Sequence, residues 1–275
     1  MAGRARARAI VADQRCRLVG VTRGRFAHEF DVPSYAFEEL IDRVDAVAIC
    51  SPNSMHVTQA RQALDKSCHV LVEFPLALVA QDASELFQHA VTKNRILHVE
   101  HIELLLAWHQ MLKTRLRGSL DVQVSMTKKG LGTETPARFF GACVARLHNI
   151  ADLSPVVEVR SVIATPGRIE VELQLESGTA SLELKSGPTL KRQTIVDVRD
   201  SHHHWSVRQR RLFCDQDEVV LPVSESSLFA LDHEQMMQRL STQVPSYVSS
   251  ARVVNILQFS ELIASTKVMG LRDNH

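Results

Sequence analysis

The sequence lacks the features that would place it across a membrane or on a nucleic acid. No apolar run approaches the roughly 20 residues of a membrane span, and no segment resembles the apolar core of a secretory signal. Lys plus Arg number 32 and Asp plus Glu number 31, so no overall charge draws the chain to nucleic acid or to a membrane surface. Any charged site is therefore local.

Cysteines are few, odd in number and widely separated, with no Cys-x-x-Cys pair. They are Cys16, Cys50, Cys68, Cys143 and Cys214. This argues against a disulfide framework and a cysteine zinc site, and it predicts a protein of the reducing cytoplasm. The three adjacent histidines 202–204 suggest a metal site at first, but on a strand they would point to alternate faces, and no fourth ligand is evident. We predict a loop there and no bound metal.

The sequence also lacks the Gly-x-Gly-x-x-Gly turn that brings a helix N-terminus to the pyrophosphate of a dinucleotide. Met1 to Ala5 looks like the end of such a turn, with Gly3 as its last glycine and residues 6–12 as the following helix. Two explanations stay open. Either the start codon is assigned too late, which we favour because a missing central strand leaves its neighbours without ladder partners, or the protein lacks its first strand and binds the nucleotide poorly.

What is present from residue 3 to 100 is an alternation of short apolar runs and longer helical periods, which is typical of βαβ units. We predict strands at 17–22, 46–50, 69–72 and 96–99, and helices at 3–12, 25–30, 37–43, 57–66 and 80–93. This pattern predicts an α/β protein with a Rossmann-type doubly wound parallel sheet.

The pattern changes after a predicted helix at 104–117, because β-branched, alternating segments follow. We predict strands at 121–127, 156–165, 169–175, 179–185, 193–198, 210–214 and 218–222, and helices at 138–153, 226–240 and 248–269. This indicates an α+β domain with a mainly antiparallel sheet. We therefore predict a dinucleotide-binding domain, 1–105, and a substrate and dimerisation domain, 106–275.

Three fragments carry a family resemblance: Ser51-Pro52-Asn53 with His56, HVLVEFPLAL at 69–78, and LHVEHIELL at 97–105. Their order and spacing resemble the glucose-fructose oxidoreductase / inositol dehydrogenase superfamily, in which a strand ends in Glu-Lys-Pro. Glu73 and Pro75 keep that motif, but Phe74 replaces the lysine. Phenylalanine cannot carry the proton or positive charge that the sugar dehydrogenases use at a hydroxyl carbon.

Within the superfamily the chain is similar to the biliverdin reductases, which share the run at 98–105 and have Glu-Tyr-Pro in the motif. The resemblance implies NADPH-dependent hydride transfer to the central methine carbon of biliverdin, held between the domains. Arg146 lies where bacterial members have an implicated arginine, so it would supply or relay the proton or anchor a propionate. The structural alternative is an ion pair of Arg146 with Asp152 or Glu103.

Further candidates follow from the predicted strand ends. Glu73 and the pair Glu100 and Glu103, three apart on one predicted helical face, are either protonated donors to the bilin or helix-start charges. Histidines 98 and 101 are expected in packing or at the surface rather than as acids.

The cofactor is expected at the carboxyl edge of the parallel sheet, where residues 51–53 would line the path of the nicotinamide ribose. Arg23 and Arg25 follow the predicted strand at 17–22, and no acid follows that strand until Glu29, which favours NADPH over NADH. A solvated surface position is the alternative for both arginines.

Two other functions stay open. The chain could be another oxidoreductase of the superfamily acting on a sugar, a small carbonyl compound or an imine, or a degenerate homologue that binds a bilin or a protein without catalysis. By analogy with the superfamily, the open sheet of the second domain is a candidate surface for a homodimer.

Overall fold

The computed structural model describes residues 2–22 and 24–269. The chain forms two compact units, one of residues 1–102 with 225–257 and the other of residues 103–224 with 258–275. This division differs from a single boundary at residue 105, because residues 225–257 return to the first unit. The functional roles assigned to the two parts stay predictions.

The first unit has three parallel strands in the order β1-β2-β3, with helices between them. The strands are continuous apolar runs, and such runs suit a parallel sheet that is covered on both faces. The prediction of a Rossmann-type sheet is confirmed. Its elements up to residue 99 are α1 (Ala2–Ala12), α2 (Gly24–Phe30), α3 (Phe37–Ile41), β1 (Ala46–Ile49), α4 (Asn53–Asp65), β2 (His69–Val72), α5 (Ala80–Thr92) and β3 (Leu97–Val99).

The strand predicted at 17–22 is wrong. Val21 makes a single isolated bridge to Ser34, and its N–H donates to the Pro33 carbonyl at 3.1 Å. Within the described ranges 2–22 and 24–269 this segment pairs with none of β1 to β3, so its backbone lacks the ladder that defines a strand. Gly20 is required here, because a Cβ at this position would lie 2.7 Å from the Tyr35 ring.

The second unit is built on an eight-stranded mixed sheet in the order β11-β10-β9-β8-β4-β7-β6-β5. Only the β4–β7 pair is parallel among these described neighbours. The prediction of a mainly antiparallel sheet is confirmed. The strands are β4 (Leu120–Lys129), β5 (Val156–Thr165), β6 (Arg168–Leu175), β7 (Gly178–Gly187), β8 (Gln193–Arg199), β9 (His204–Arg208), β10 (Arg211–Cys214) and β11 (Asp217–Val219).

In the second unit, two α-helices precede β5, and each follows a short 3₁₀ helix. A short 3₁₀ helix, Ile102–Leu105, leads into α6 (Ala107–Arg115), and a second, Pro136–Phe139, leads into α7 (Phe140–Leu153). The strands alternate, so β6 buries Ile169, Val171 and Leu173 on one face while the side chains between them are less buried. Since α7 packs against β5 and β7, this apolar face and α7 form the core of the unit.

Two further helices complete the described chain, α8 (Leu228–Thr242) and α9 (Ser250–Ala264). Ser227 caps α8, because its Oγ accepts a hydrogen bond of 3.1 Å from the Ala230 N–H. None of the helices in the described ranges is long and apolar enough to cross a bilayer.

Candidate active site

Three residues mark the carboxyl ends of the parallel strands. Cys50 follows β1, Glu73 follows β2 and Glu100 follows β3. The ladder continues to these positions, since the Glu73 N–H donates to Ile49 at 3.0 Å and the Glu100 N–H donates to Val72 at 2.9 Å. Neighbouring parallel strands end at the same edge, so the thiol and both carboxyl groups lie together where open α/β sheets bind ligands.

Helix α1 begins at this edge. Gly3 is exposed, and a Cβ built on it would lie 3.5 Å from the Cβ of Cys50. The first N–H groups of an α-helix have no partner within the helix and carry partial positive charge. The start of α1 therefore offers donors beside the strand ends, and the cofactor contact expected of Gly3 stays a prediction.

Arg6 is the centre of the ion pairs at this edge. Its side chain is 1% exposed, and its Nη1 lies 2.7 Å from Asp232 Oδ2 while its Nη2 lies 3.3 Å from Glu73 Oε1. Burial by itself lowers the pKa of Arg6, but the charges of Asp232 and Glu73 outweigh burial and raise it. We name Arg6, Cys50, Glu73, Glu100 and Asp232 the strand-end cluster.

Sequence reasoning missed Arg6 and Asp232. Arg4, Arg6 and Arg8 look alike in the sequence, and only the position of Arg6 three residues after Gly3, on the same helical face, distinguished it. Asp232 lies about 130 residues beyond Glu100 in the chain, and no local pattern links the two. An ion pair between segments that are far apart in the chain produces no periodic pattern in a single sequence, so it cannot be predicted from one.

Asp232 also fixes two aromatic side chains. It accepts hydrogen bonds from His98 Nε2 at 2.9 Å and from the Tyr247 hydroxyl at 2.7 Å. Burial by itself raises the pKa of Asp232, but the hydrogen bond from His98 and the charges of His98 and Arg6 leave it lowered. The Tyr247 hydroxyl accepts from the His101 N–H at 2.8 Å. Both histidines are buried, as the packing alternative expects.

Glu100 is fully buried. Its Oε1 accepts from the Ile102 N–H at 3.0 Å, and its Oε2 has no hydrogen-bond partner among the residues that the structure describes. Burial, and then the nearby Glu73 carboxylate, raise the pKa of Glu100 to about 8. The carboxyl group is then mostly protonated at neutral pH and can donate a hydrogen bond or a proton.

The shared helical face predicted for Glu100 and Glu103 is wrong. Glu100 lies in the extended segment after β3, and Glu103 lies within the 3₁₀ helix that follows. The two residues also fall in different compact units. The strand ladder holds Glu100 through its N–H, so the helix begins only after it.

The turn after β1 combines exposed and anchoring residues. Pro52 and Asn53 are exposed, and Ser51 Oγ donates to Gln59 Oε1 at 2.6 Å. His56 is buried, with its ring nitrogens 2.9 Å from the carbonyl oxygens of Ser51 and Pro75. His56 therefore joins the turns after β1 and β2 and positions them, while residues 51–53 remain open to a ligand.

The remaining candidates of the first unit are placed as follows. Phe74 is half-buried, and its ring stacks on that of His101 with centroids 5.8 Å apart and an angle of 28° between the ring planes. The Phe74–Pro75 peptide bond is cis. Arg25 is exposed on α2 with its guanidinium over Phe26, and it is available to an anion. Arg23, the other predicted partner of the 2′-phosphate, lies outside the described residues.

Arg146 lies on α7 in the second unit and is 5% exposed. It forms an ion pair with Glu103, which is one of the two partners that the structural alternative predicted. The other, Asp152, instead pairs with His109 Nε2 and Lys113 Nζ, both at 3.0 Å. Burial, and then the charge of Arg192, lower the pKa of Arg146 to about 10. Burial and the charge of Arg192 favour loss of its proton, whereas the contact with the Glu103 carboxylate favours the charged guanidinium.

The histidines 202–204 straddle a loop and the start of β9. His203 Nδ1 lies 2.7 Å from Asp215, and these two residues with Cys214 present donor atoms within 4.8 Å of one another. Asp13, Cys16 and His233 form a similar group in the first unit. Their carboxylates are already engaged by histidine or arginine, and the expectation of no metal stays a prediction.

The basic cluster at 208–211 is also engaged. Arg208 Nη2 lies 2.8 Å from Asp197, and Arg211 pairs with Glu218 across the β10–β11 hairpin. These arginines lie on β9 and β10, the two strands next to the edge strand β11. They do not converge on Arg146 through any contact in the described residues.

Comparison with known proteins identifies the class of the first unit. Residues 2–101 match the family described as an oxidoreductase family with an NAD-binding Rossmann fold. Residues 2–101 are therefore similar to the NAD-binding domain of the Gfo/Idh/MocA oxidoreductases, and the chain is an NAD(P)-binding oxidoreductase.

Over most of its length the chain is similar to biliverdin reductases. It is 29% identical over 229 residues to biliverdin reductase A of Mus musculus, covering 80% of this chain and 74% of the mouse protein. It is 41% identical over 75 residues to biliverdin reductase A of Homo sapiens, covering 27% of this chain and 25% of the human protein.

Solved structures share the fold over nearly the whole chain. Biliverdin reductase from Synechocystis sp. PCC 6803, in complex with biliverdin and NADP+, has a TM-score of 0.80 at 24% identity and covers 96% of this chain and 95% of its own. UDP-N-acetylglucosamine 3-dehydrogenase from Acidithiobacillus ferrooxidans has a TM-score of 0.82 at 17% identity, with coverages of 96% and 93%. At such identities the likeness shows the fold alone.

Proposed function

We propose that this chain reduces biliverdin to bilirubin with NADPH. A hydride goes to the central methine carbon, a proton goes to a pyrrole nitrogen, and NADPH becomes NADP+. The similarity to the mouse enzyme over 80% of the chain supports the substrate class. Phe74, where the superfamily's sugar dehydrogenases have lysine, argues against hydride chemistry on a hydroxyl carbon.

The residues at the strand ends fit the cofactor by their donors and their exposure. The start of α1, with Gly3 leaving space, suits the pyrophosphate, and the open turn 51–53 suits the nicotinamide ribose. Exposed Arg25 on α2, with Arg23, suits the 2′-phosphate. When bound there, NADPH supplies the hydride. Arg6 of the strand-end cluster holds this edge through Glu73 and Asp232, and His56 joins the turns after β1 and β2.

The observation that carries the proposal is the buried, paired Arg146. An ordinary arginine is a very poor acid at neutral pH. Burial lowers the pKa of Arg146 to about 10, so it gives up a proton to a developing pyrrole anion more readily than an exposed arginine does. The carboxylate of Glu103 holds the guanidinium in place. Arg146 then recovers its proton from solvent.

Glu100 is the second candidate for proton supply within the same reaction. It is protonated near neutral pH and has one oxygen without a partner among the described residues. A glutamic acid with a pKa near the working pH is a more effective general acid than an arginine. If Glu100 is the donor, activity falls above pH 8, whereas activity that depends on Arg146 persists to about pH 10.

The test is a spectrophotometric assay of the purified chain with biliverdin and NADPH. We expect bilirubin formation, a kcat about 100-fold lower for Arg146→Gln with little change in KM, and partial activity for Arg146→Lys. Arg160→Gln, at an exposed position of β5, is the matched control and should leave kcat unchanged. No conversion by the unsubstituted chain would contradict the proposal.

Two parallel measurements separate the alternatives. NADPH binding without bilin turnover would favour another oxidoreductase of the superfamily, and bilin binding without NADPH binding would favour a degenerate homologue. Arg25→Ala should raise the KM for NADPH more than that for NADH, because only NADPH carries the 2′-phosphate. The homodimer through the second-unit sheet and the cytoplasmic location stay predictions.

A further inference from the structure

The amide of Asn149 stands out among the polar groups of α7. The residue is 4% exposed, and neither Nδ2 nor Oδ1 has a hydrogen-bond partner among the residues that the structure describes. Most buried polar atoms in proteins are paired with protein groups or ordered water, so both amide atoms of Asn149 are open to a partner other than the described residues. Asn149 can therefore bind a ligand through both atoms of its amide.

Asn149 lies next to the candidate proton donor. It follows Arg146 by three residues on α7, so the two side chains share one face of the helix and their Cβ atoms are about 5–6 Å apart. Both residues are buried. Arg146 is held by Glu103, whereas no charged group is paired with Asn149 within the described part of the chain. A ligand that reaches Arg146 therefore comes within reach of the amide.

We infer that Asn149 recognises the lactam of an end ring of the tetrapyrrole, an inference that rests on the proposed function. A lactam presents an N–H donor beside a C=O acceptor, and a primary amide presents the complementary acceptor and donor. The two groups can form a pair of parallel hydrogen bonds. In the closed conformation of a linear tetrapyrrole, the end-ring lactams adjoin the inner pyrrole nitrogens. Arg146 and Asn149, one helical turn apart, could therefore contact an inner pyrrole nitrogen and the adjoining end-ring lactam at the same time.

This pairing gives Asn149 a role in selecting the substrate. A buried site that hydrogen-bonds a substrate rejects analogues that lack the matching group, because its own polar atoms are then left unpaired. Sugars and small carbonyl compounds lack a lactam. The residue is a binding and specificity residue that orients the pigment for protonation at the neighbouring Arg146.

The test compares Asn149→Leu with the unsubstituted full chain. Leucine is similar in size but makes no hydrogen bond, so we expect kcat/KM for biliverdin to fall roughly 10- to 100-fold through the loss of two hydrogen bonds. The thermal unfolding midpoint should not fall, because the substitution removes an unpaired buried amide. Ser260→Ala on α9 is the matched control, since Ser260 is also buried with an unpaired Oγ among the described residues, and it should retain full kcat/KM.

A modified substrate separates recognition from a structural role. In the lactim O-methyl ether of biliverdin the lactam N–H is lost and the oxygen is capped. The unsubstituted chain should prefer biliverdin over this ether at least about 10-fold, and Asn149→Leu should lose the preference. A lower unfolding midpoint with the preference intact would show Asn149 to be structural and would overturn the inference.

The outcomes also separate this inference from the proposed function. If the chain binds biliverdin without reducing it, the proposed function fails, and the same variants are compared by their dissociation constants for biliverdin and the ether. Turnover with equal kcat/KM for Asn149→Leu and the unsubstituted chain overturns the inference alone. Absence of biliverdin binding overturns both.

Discussion

At the residue scale, the burial of Glu100 makes the stability of the folded protein depend on pH. Its pKa is about 8 in the folded protein, because of burial and then Glu73, and near 4.5 without that environment. A folded-state pKa above the unfolded value means that the folded chain holds the proton more tightly. The stability that the protonated Glu100 carboxyl group contributes is fully present below pH 4.5 and is lost as pH rises through 8.

We predict that the Glu100→Gln substitution removes this dependence, because glutamine keeps the acceptor for the Ile102 N–H and does not titrate. Measured by urea unfolding between pH 5 and pH 8.5, the variant should gain stability relative to the unsubstituted chain by up to about 1.4 kcal/mol per pH unit. Glu158→Gln, at an exposed position of β5, is the control. Parallel stability curves for Glu100→Gln and the unsubstituted chain would contradict the assignment.

From the strand pattern, the residues of the candidate site were predictable where they follow a strand, whereas Arg146 was predicted from the family resemblance. Glu73 and Glu100 come directly after apolar runs, so the topology of a parallel sheet places them at one edge. Arg6 and Asn149 lie inside helices whose periodicity gives no sign of a missing or distant partner. Their importance comes from what surrounds them in space, which a single sequence does not encode locally.

At the element scale, the Arg6–Asp232 pair joins α1 to α8. Both side chains are essentially buried, with 1% and 0% exposure. Removing one partner of a buried ion pair leaves an uncompensated buried charge, which typically lowers the free energy of unfolding by about 3–5 kcal/mol. Helix α1 should therefore detach readily from α8 when either charge is lost.

A double-mutant cycle of Arg6→Met and Asp232→Asn tests this. We expect each single variant to lose about 3–5 kcal/mol of unfolding free energy and the double variant to lose less than the sum, because it leaves no lone charge. Urea unfolding followed by far-UV circular dichroism measures all four proteins. Arg8→Met, which removes an exposed pair with Glu29, is the control and should cost under about 1 kcal/mol. Additive losses would mean that the two side chains do not interact.

The strand β9 was not predicted from the sequence because of the residues in the turn that follows it. The turn between β9 and β10 has Gln209 and Arg210 at positive φ, 54° and 67°, which is the geometry of a type I′ hairpin. That turn normally shows Asn-Gly or a similar pair, so Gln-Arg gave no signal and β9 was not predicted. The strand β6 was predicted closely because burial on one face sets its alternating pattern.

At the scale of the whole molecule, the first unit is discontinuous, since residues 225–257 belong with residues 1–102. Asp232 and Tyr247, which complete the hydrogen bonds around Arg6, His98 and His101, come from that later segment. The first 102 residues alone therefore contain a buried arginine without its main counter-ion.

We predict that a fragment of residues 1–102 does not fold cooperatively, and that the same fragment joined through a flexible Gly/Ser linker to residues 225–257 does. Far-UV circular dichroism during urea unfolding distinguishes a cooperative transition from a gradual one. The joined fragment carrying Asp232→Asn is the control and should be less stable than the joined fragment itself. Cooperative unfolding of residues 1–102 alone would show that the later segment is dispensable.

The discontinuity has a consequence for protein synthesis. A ribosome adds roughly 5–20 residues per second, and the 122 residues from 103 to 224 separate the two parts of the first unit in the chain. The nascent amino-terminal portion must wait for their translation, a delay on the order of ten seconds, before Asp232 emerges. During that interval its apolar strands are open to chaperones, so the cell's folding helpers meet the nucleotide-binding portion before it is complete.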